Sequence, residues 1–184
     1  MIGCISMRIR NFREKDLPEV AQIYQEAMKA DELVTVSGDD FVQWFTQPEL
    51  DALANAFVVS DDDDELNTWG QAGTLDGLDG EIVGYTLVTF RQDGQGYHFL
   101  CEGTVLPQYR RQHVGRILLV GACNRARLLA SEFEFEAEQE GVPIYFEALL
   151  PVRDAAAARL AAKHEMQATA EPAPAGLCLY RCTL

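Results

Sequence analysis

The chain has 184 residues, a formal net charge of −14 at pH 7 and a hydrophobic content of 48%. These values are typical of a globular chain with a sizeable core, and they disfavour an intrinsically disordered one. The acidic balance also argues against nucleic-acid binding, which needs a broad basic surface, and it favours a cationic partner.

The sequence predicts no membrane span, signal peptide or metal site. No apolar run reaches the ~18 residues that a transmembrane helix needs, and the apolar start, residues 1–7, is too short for a signal peptide. We therefore expect a cytoplasmic protein without membrane partners. The five cysteines form no Cys-x-x-Cys and no metal-ligand spacing with the three histidines, so we expect reduced thiols and no metal.

The N-terminal third predicts a strand followed by two or three helices. Residues 8–12 alternate as a strand, and Asp16 with Pro18 marks a helix start. A second helix is predicted from Ser37, and a third after Pro48 stays open. The apolar residues of the first helix recur at helical spacing: Leu17, Val20, Ile23, Tyr24 and Ala27. Four acidic residues either attract an amine or are plain solvated charges: Asp31, Glu32, Asp39 and Asp40.

Two predicted strands, residues 56–60 and 81–90, flank an acidic and glycine-rich segment. We expect this segment, at about 61–80, to be a poorly ordered insertion without chemistry of its own. The predicted organisation is a single domain over residues 7–184 that contains the insertion.

The C-terminal half predicts strands and helices in alternation. Strands are predicted at residues 97–106, 142–150 and 177–183, and helices from Gly115 past Leu128 and over residues 154–163. Residues 131–140 alternate glutamate with phenylalanine. An extended helix end and an inserted turn are both open there.

A turn rich in arginine separates the strand at 97–106 from the helix that follows. It contains Arg110, Arg111 and Arg116, and Gly115 lies at the helix entrance. The first N–H groups of a helix lack internal partners and carry partial positive charge, so they bind anions. Arginines add charge-assisted hydrogen bonds, and a glycine lets a diphosphate approach the backbone closely. The turn therefore predicts an anion-binding site.

The same turn carries a family resemblance. It reads Val105-x-Pro107-x-Tyr109-Arg110-x-x-His113-x-Gly115. This resembles Val-x-Pro-x-Tyr followed by Arg/Gln-x-x-Gly-x-Gly/Ala, the loop between the fourth strand and third helix of the GNAT superfamily of acyl-CoA-dependent N-acyltransferases. The resemblance implies an α/β fold with a mixed, mostly antiparallel sheet of six or seven strands and helices on both faces.

The resemblance also implies an activity. It is acetyl transfer from acetyl-CoA to an amine acceptor, by direct attack in a ternary complex. The acidic chain suits a cationic acceptor, and homodimerisation stays open. By the resemblance, the cofactor-binding residues are Thr104, Val105, Leu106, Arg110, Arg111, Gln112, His113, Val114, Gly115 and Arg116. Of these, Thr104, Val105 and Leu106 are expected to offer main-chain groups to the pantetheine arm, between the fourth and fifth strands.

Candidate catalytic residues lie on two neighbouring predicted strands. Glu102 is the first candidate for the general base, because burial would raise its pKa toward a useful range. A glutamate that faces solvent or pairs with an arginine is the alternative. Glu147 is the second candidate base, and Tyr145 is an available acid, as are Tyr180 and His164.

Two positions depart from the family pattern. His113 stands where the family has its first glycine. Ala161 stands where a Tyr-x-x-x-Gly-Phe run would place the tyrosine that serves as general acid. The alternative function is therefore a catalytically inert acyl-CoA-binding or regulatory module on the same fold.

Overall fold

The structure is a computed structural model that describes residues 6–62 and 80–184. Within them, seven strands form one sheet in the order β1-β2-β3-β4-β5-β7-β6. The strands are β1 (Ser6–Asn11), β2 (Ala56–Asp62), β3 (Glu81–Asp93), β4 (Gly96–Val105), β5 (Ile144–Pro151), β6 (Gln167–Ala168) and β7 (Leu177–Thr183). The α-helices are α1 (Leu17–Ala30), α2 (Gly38–Phe45), α3 (Ala52–Asn55), α4 (Val114–Ala130), α5 (Glu134–Glu140) and α6 (Ala155–Lys163).

The sheet is mixed and mostly antiparallel, which confirms the prediction. β4 and β5 pair in parallel, whereas the other pairs of neighbouring strands are antiparallel. The two strands that were expected to hold the candidate catalytic glutamates are therefore neighbours that run in the same direction.

Helices cover both faces of the sheet, also as predicted. On one face, Val20 of α1 and Phe41 of α2 pack into a core with Leu87 of β3. On the opposite face, Leu119 and Ala122 of α4 belong to a second core that includes strand residues. The buried residues of α4 recur three and four apart, which gives one apolar stripe against the sheet: Val114, Leu118, Leu119, Ala122, Ala126 and Ala130.

β4 is paired on both sides along only part of its length. Its pairs with β3 run the whole strand, to Val105. Its pairs with β5 run from Tyr97 opposite Ile144 to Cys101 opposite Ala148 and end there. Beyond Cys101 the two parallel strands diverge, and this opening is called the splay below.

The alternating glutamates and phenylalanines form a turn and then a separate helix. α4 ends at Ala130 and α5 begins at Glu134. Phe133 lies in the turn between them and stacks on Phe90 of β3, with ring centroids 4.7 Å apart. The acidic residues in the first turn of α5 interact favourably with the positive N-terminal end of its helix dipole. The inserted turn is thus the option that the structure adopts.

Smaller differences concern short elements. The third predicted helix is a 3-10 turn, Pro48–Leu50, followed by the single turn of α3. β2 continues two residues into the acidic run, as far as Asp62. Residues 63–79, which hold most of the predicted insertion, lie outside the described residues. β6 was missed because two residues show no periodicity.

Candidate active site

In β4, the main-chain N–H and C=O groups of every second residue point toward the splay. Leu106 donates its N–H to Val83 at 2.9 Å, so this residue faces β3. In an antiparallel ladder the direction of the main-chain groups alternates. The N–H groups of Thr104 and Leu106 therefore point to β3, and those of Gly103 and Val105 point to the side that β5 has left.

This geometry corrects two predicted main-chain contacts. Leu106 donates to Val83, and its C=O accepts the N–H of Tyr109 at 2.9 Å, so both groups are used inside the chain. Thr104 is paired with Tyr85. Val105 keeps the expected orientation, and Gly103 joins it. Sequence reasoning missed Gly103 because ladder direction is invisible without the pairing.

The turn after β4 presents a row of N–H groups. Its own hydrogen bonds are those of Tyr109 to Leu106, Arg110 to Pro107 and, at the start of α4, Ile117 to His113. The N–H groups of residues 111–116 donate no hydrogen bond to a backbone carbonyl in the described part of the chain. Such a row, ending at the positive end of a helix, suits an anion.

Two residues of this row have left-handed backbones. Arg111 has a φ of 64° and His113 has a φ of 67°. Glycine adopts this conformation without a steric cost, whereas other residues do so uncommonly. His113 is the N-cap residue of α4, so the family's glycine and this histidine serve the same backbone turn. The imidazole is exposed.

The three arginines of the turn have different surroundings. Arg111 and Arg116 are exposed, and neither forms a salt bridge with a described residue. The guanidinium of Arg110 instead forms a two-pronged pair with the Asp31 carboxylate, at 2.6 and 2.9 Å. Its Nε donates to the C=O of Val105 at 3.3 Å. Exposed positive charge is therefore supplied by two of the three predicted arginines.

The remaining residues of the turn leave room beside the splay. A Cβ on Gly115 would come no closer than 3.8 Å to Leu160 and 3.9 Å to Val105, so protein packing alone does not require a glycine. Val114 is buried in the core. Gln112 donates to the C=O of Gln108 at 3.0 Å, and its buried side-chain oxygen has no hydrogen-bond partner within the described residues. The free N–H groups of this cradle suit the oxygens of a diphosphate, whereas the unsatisfied Gln112 oxygen suits a hydrogen-bond donor such as an amide N–H.

Glu102 lies at the start of the splay. It is the first β4 residue beyond the last pair with β5, and it lies opposite Leu87 on the face that α1 and α2 cover. The side chain is half-buried, and this burial raises the pKa of its carboxyl. Its charge also contributes to the raised pKa of the buried Tyr85 phenol, after burial itself and Tyr24.

Glu147, the second candidate base, is buried and bound to three positive or imidazole side chains, an environment that disfavours the role of a base. It has no exposed surface and binds His98, Arg91 and Arg181. Burial raises its pKa, but the hydrogen bonds from His98 and Arg181 outweigh burial and lower it. Tyr145 belongs to the same cluster: its ring lies under the guanidinium of Arg181, 4.5 Å from the centroid. These residues lie beside the paired half of β4, away from the splay.

The end of α6 lacks the tyrosine that the family resemblance implies there. Ala161 is fully buried, and Met166 is also in the core. Glu165 has a φ of 59°, a left-handed backbone that glycine adopts without steric cost. His164 next to it has a lowered pKa because of burial and of the nearby Arg116 charge. His164 thus lies near Arg116 of α4.

A cleft next to the splay could receive an acceptor. It has a volume of about 170 Å³ and lies between the segment after α1 and the segments that flank β5 and β7. Its walls include the apolar Leu33 and Pro151 and the charged Asp31, Glu32 and Arg153. Glu32 and Arg153 form an ion pair across it.

The thiols are not part of this site. Cys101, Cys123, Cys178 and Cys182 are free in the described residues, and Cys4 lies outside them. Burial raises the pKa of Cys101 to about 12, so its thiolate is not available near neutral pH. No group of His, Cys, Asp or Glu side chains in the described ranges is arranged to hold a metal ion, and none of the helices described there is long and apolar enough to cross a membrane.

Comparison with known families decides the identity of this fold. The sequence pattern described as "Acetyltransferase (GNAT) family" matches residues 17–140. The chain belongs to the GNAT acetyltransferase family. Membership implies acyl-CoA-dependent acetyl transfer. A comparison with curated protein sequences found no match.

Solved structures share the GNAT fold at low sequence identity. The structure of yncA from Salmonella typhimurium, which contains its cofactor acetyl-CoA, is 19% identical with a TM-score of 0.61 and covers 97% of this chain and 94% of its own. The ribosomal-protein-S18-alanine N-acetyltransferase of Escherichia coli is 17% identical with a TM-score of 0.54 and the same coverage. Arabidopsis thaliana NAA60, in complex with a bisubstrate analogue, is 13% identical with a TM-score of 0.60, covering 97% and 98%. At these identities the likeness concerns the fold alone.

Proposed function

We propose that this protein transfers the acetyl group of acetyl-CoA to an amine. The observation that carries the proposal is the row of main-chain N–H groups at residues 111–116, next to the open splay. These groups, with the exposed Arg111 and Arg116, would bind the diphosphate of the donor. The N–H groups of Gly103 and Val105 would bind its pantetheine arm, as added strands bind a sheet edge.

The chemical step needs a base and a polarised carbonyl. The amine nitrogen attacks the thioester carbon, the C–N bond forms, and the C–S bond breaks as the thiolate leaves. Glu102 takes the proton that the amine loses, directly or through a water, and its raised pKa suits that role. An N–H of Gly103 or Val105 would stabilise the developing oxyanion. The departing thiolate takes a proton from solvent.

The acceptor would enter through the cleft beside the splay. Its walls carry Asp31, Glu32 and Arg153, and Asp31 is already bound to Arg110. Glu32 remains to attract an ammonium group once its exposed ion pair with Arg153 opens, which costs little in water. Together with the chain's net negative charge, this favours a cationic amine in the cytoplasm.

A pair of matched variants tests the donor site. Gly115→Asp places a carboxylate at the second residue of α4, where it suits the helix dipole but repels a diphosphate. Gly38→Asp makes the same change at the first residue of α2, where a Cβ meets nothing within 4 Å. We expect acetyl-CoA to raise the thermal midpoint of the wild type and of Gly38→Asp, and not that of Gly115→Asp. An equal shift in both variants would contradict the assigned site.

Turnover separates the enzyme from the alternative module. Release of free CoA thiol is followed with a panel of polyamines, aminoglycosides and peptide N-termini, and the products are checked by mass. Acetylated product supports the transferase. A midpoint shift without product from any amine would favour the inert acyl-CoA-binding module, for which the loss of the usual tyrosine at Ala161 is the favouring observation.

A further inference from the structure

Arg110 and Asp31 connect the donor side of the site to the acceptor side. Asp31 is the C-cap residue of α1 and lines the acceptor cleft. Arg110 lies in the turn after β4, 79 residues later in the chain. Both side chains are largely withdrawn from solvent, with 25% of Arg110 and 13% of Asp31 exposed, so the pair is less screened than a surface ion pair.

Most of the hydrogen-bond donors of Arg110 are used by contacts within the protein. A guanidinium has five N–H donors, and three of them are used: two bind the Asp31 oxygens and Nε binds the C=O of Val105. The carboxylate of Asp31 also neutralises the charge. Arg111 and Arg116 have no such partner in the described chain and stay exposed.

The position of Asp31 supports a specific role for the pair. A carboxylate at a helix C-terminus opposes the helix dipole, so Asp31 is unfavourable for α1 taken alone. Its bidentate pairing with Arg110 offsets that cost and fixes the end of α1 against the turn. Through Nε, the same side chain holds the C=O of Val105 and hence the peptide plane between Val105 and Leu106, at the end of β4.

We propose that Arg110 is a positioning residue rather than a ligand of the diphosphate. Clamped by Asp31, it holds the C=O of Val105 at the end of β4, beside the splay, and joins the acceptor cleft to the donor turn. The inference rests on the proposed function and assigns a role within the same site. Arg111, next in the chain, is the matched residue that would meet the diphosphate.

Two acetyl donors distinguish a positioning role of Arg110 from phosphate binding. They are acetyl-CoA and S-acetyl-pantetheine, which lacks the diphosphate. We expect Asp31→Asn and Arg110→Gln each to lower kcat roughly tenfold with both donors, and the double variant to be no worse than either, because the two residues act as one unit. Arg110→Lys, which keeps the charge but loses the fork, should behave like Arg110→Gln. Arg111→Gln should raise KM for acetyl-CoA and leave KM for S-acetyl-pantetheine unchanged.

Several results would overturn the inference. Arg110 is a phosphate ligand if Arg110→Gln raises KM for acetyl-CoA and leaves the kinetics with S-acetyl-pantetheine unchanged. The same conclusion follows if Arg110→Lys keeps full activity. Additive losses in the double variant would show that the pair is not a unit. Midpoints measured for each variant without donor separate these results from loss of folding. A wild type that neither binds acetyl-CoA nor transfers its acetyl group would contradict the proposed function and this role with it.

Discussion

The Nδ1 atom of His98 lies 3.0 Å from Oε1 of Glu147, and both side chains are buried in the sheet face. Arg181 donates to the same carboxylate. We predict that Glu147→Gln lowers the free energy of unfolding by about 3–5 kcal/mol, because it leaves the largely buried Arg181 with the more exposed Glu171 as its remaining carboxylate. Urea unfolding measures the loss, and the exposed Glu132→Gln is the control. Equal stability of the two variants would contradict the prediction.

The same cluster gives stability a pH dependence. The folded-state pKa of Glu147 is lowered, so its contribution to stability is present above its ordinary pKa and is lost as the pH falls through the lowered value. We expect the difference between the wild type and E147Q to be full at pH 7 and to shrink below about pH 4. A difference that stays constant between pH 7 and pH 3 would show that packing, not charge, causes it.

Glu102 should affect catalysis and stability in opposite directions. A lysine-like amine is almost wholly protonated at pH 7, so Glu102→Gln should lower turnover more at pH 7 than at pH 9. The folded-state pKa of Glu102 is raised by burial, so this group favours the folded state when protonated and loses that effect as the pH rises through its folded pKa. We therefore expect E102Q to raise the thermal midpoint at pH 7 but hardly at pH 4.

The exposed Glu138→Gln is the control for these measurements. A pH–rate profile of E102Q that matches the wild type would remove Glu102 from the mechanism. A midpoint that falls at pH 7 would show that the carboxylate of Glu102 stabilises the fold, contrary to its burial.

His113 should be a source of strain that glycine relieves. Its φ of 67° is left-handed, and such a backbone costs a residue with a Cβ about 1–3 kcal/mol. Part of this gain is lost because glycine is more flexible in the unfolded chain. We expect His113→Gly to raise the thermal midpoint by about 2–4 °C. Gln112→Gly, in the same turn but without a positive φ, should lower it; a rise in both would contradict the argument.

Gly103 is required by a close approach of two strands. A Cβ there would lie 2.3 Å from the backbone oxygen of Tyr85 and 2.7 Å from the Cα of Thr86. Backbone cannot move aside as a flexible side chain can, so Gly103→Ala should cost about 1–3 kcal/mol in stability and distort the splay. Gly94→Ala, where a Cβ meets nothing within 4 Å, is the matched control. Urea unfolding of both variants gives the comparison.

The sequence predicted most of the fold because its regular elements carry clear periodicity. The β4 strand was expected at residues 97–106 and is Gly96–Val105, and the α4 helix begins at Val114, beside the expected Gly115. The turn at Phe133 could not be decided, because its stacking on Phe90 joins residues far apart in the chain. Local pattern does not contain that contact.

The candidate site was less predictable than the fold. Glu102 and Glu147 look alike in sequence, since each is a glutamate in an apolar strand. Only the pairing of β4 with β5 shows that one borders the splay and that the other lies beside the paired half. Likewise, Arg110 and Arg111 are adjacent in the sequence, and it is the contacts of Arg110 with Asp31 and with the C=O of Val105 that distinguish them.

The row of N–H groups at residues 111–116 belongs to the backbone, which every residue except proline supplies. Substitutions at Arg111, Gln112 or Arg116 that preserve the φ angles would leave this row intact. The side chains of this turn can therefore be replaced extensively while its main-chain N–H donors stay in place. The residues under tightest constraint are then those that shape the turn, the left-handed positions and the Asp31–Arg110 pair, rather than those that touch a ligand.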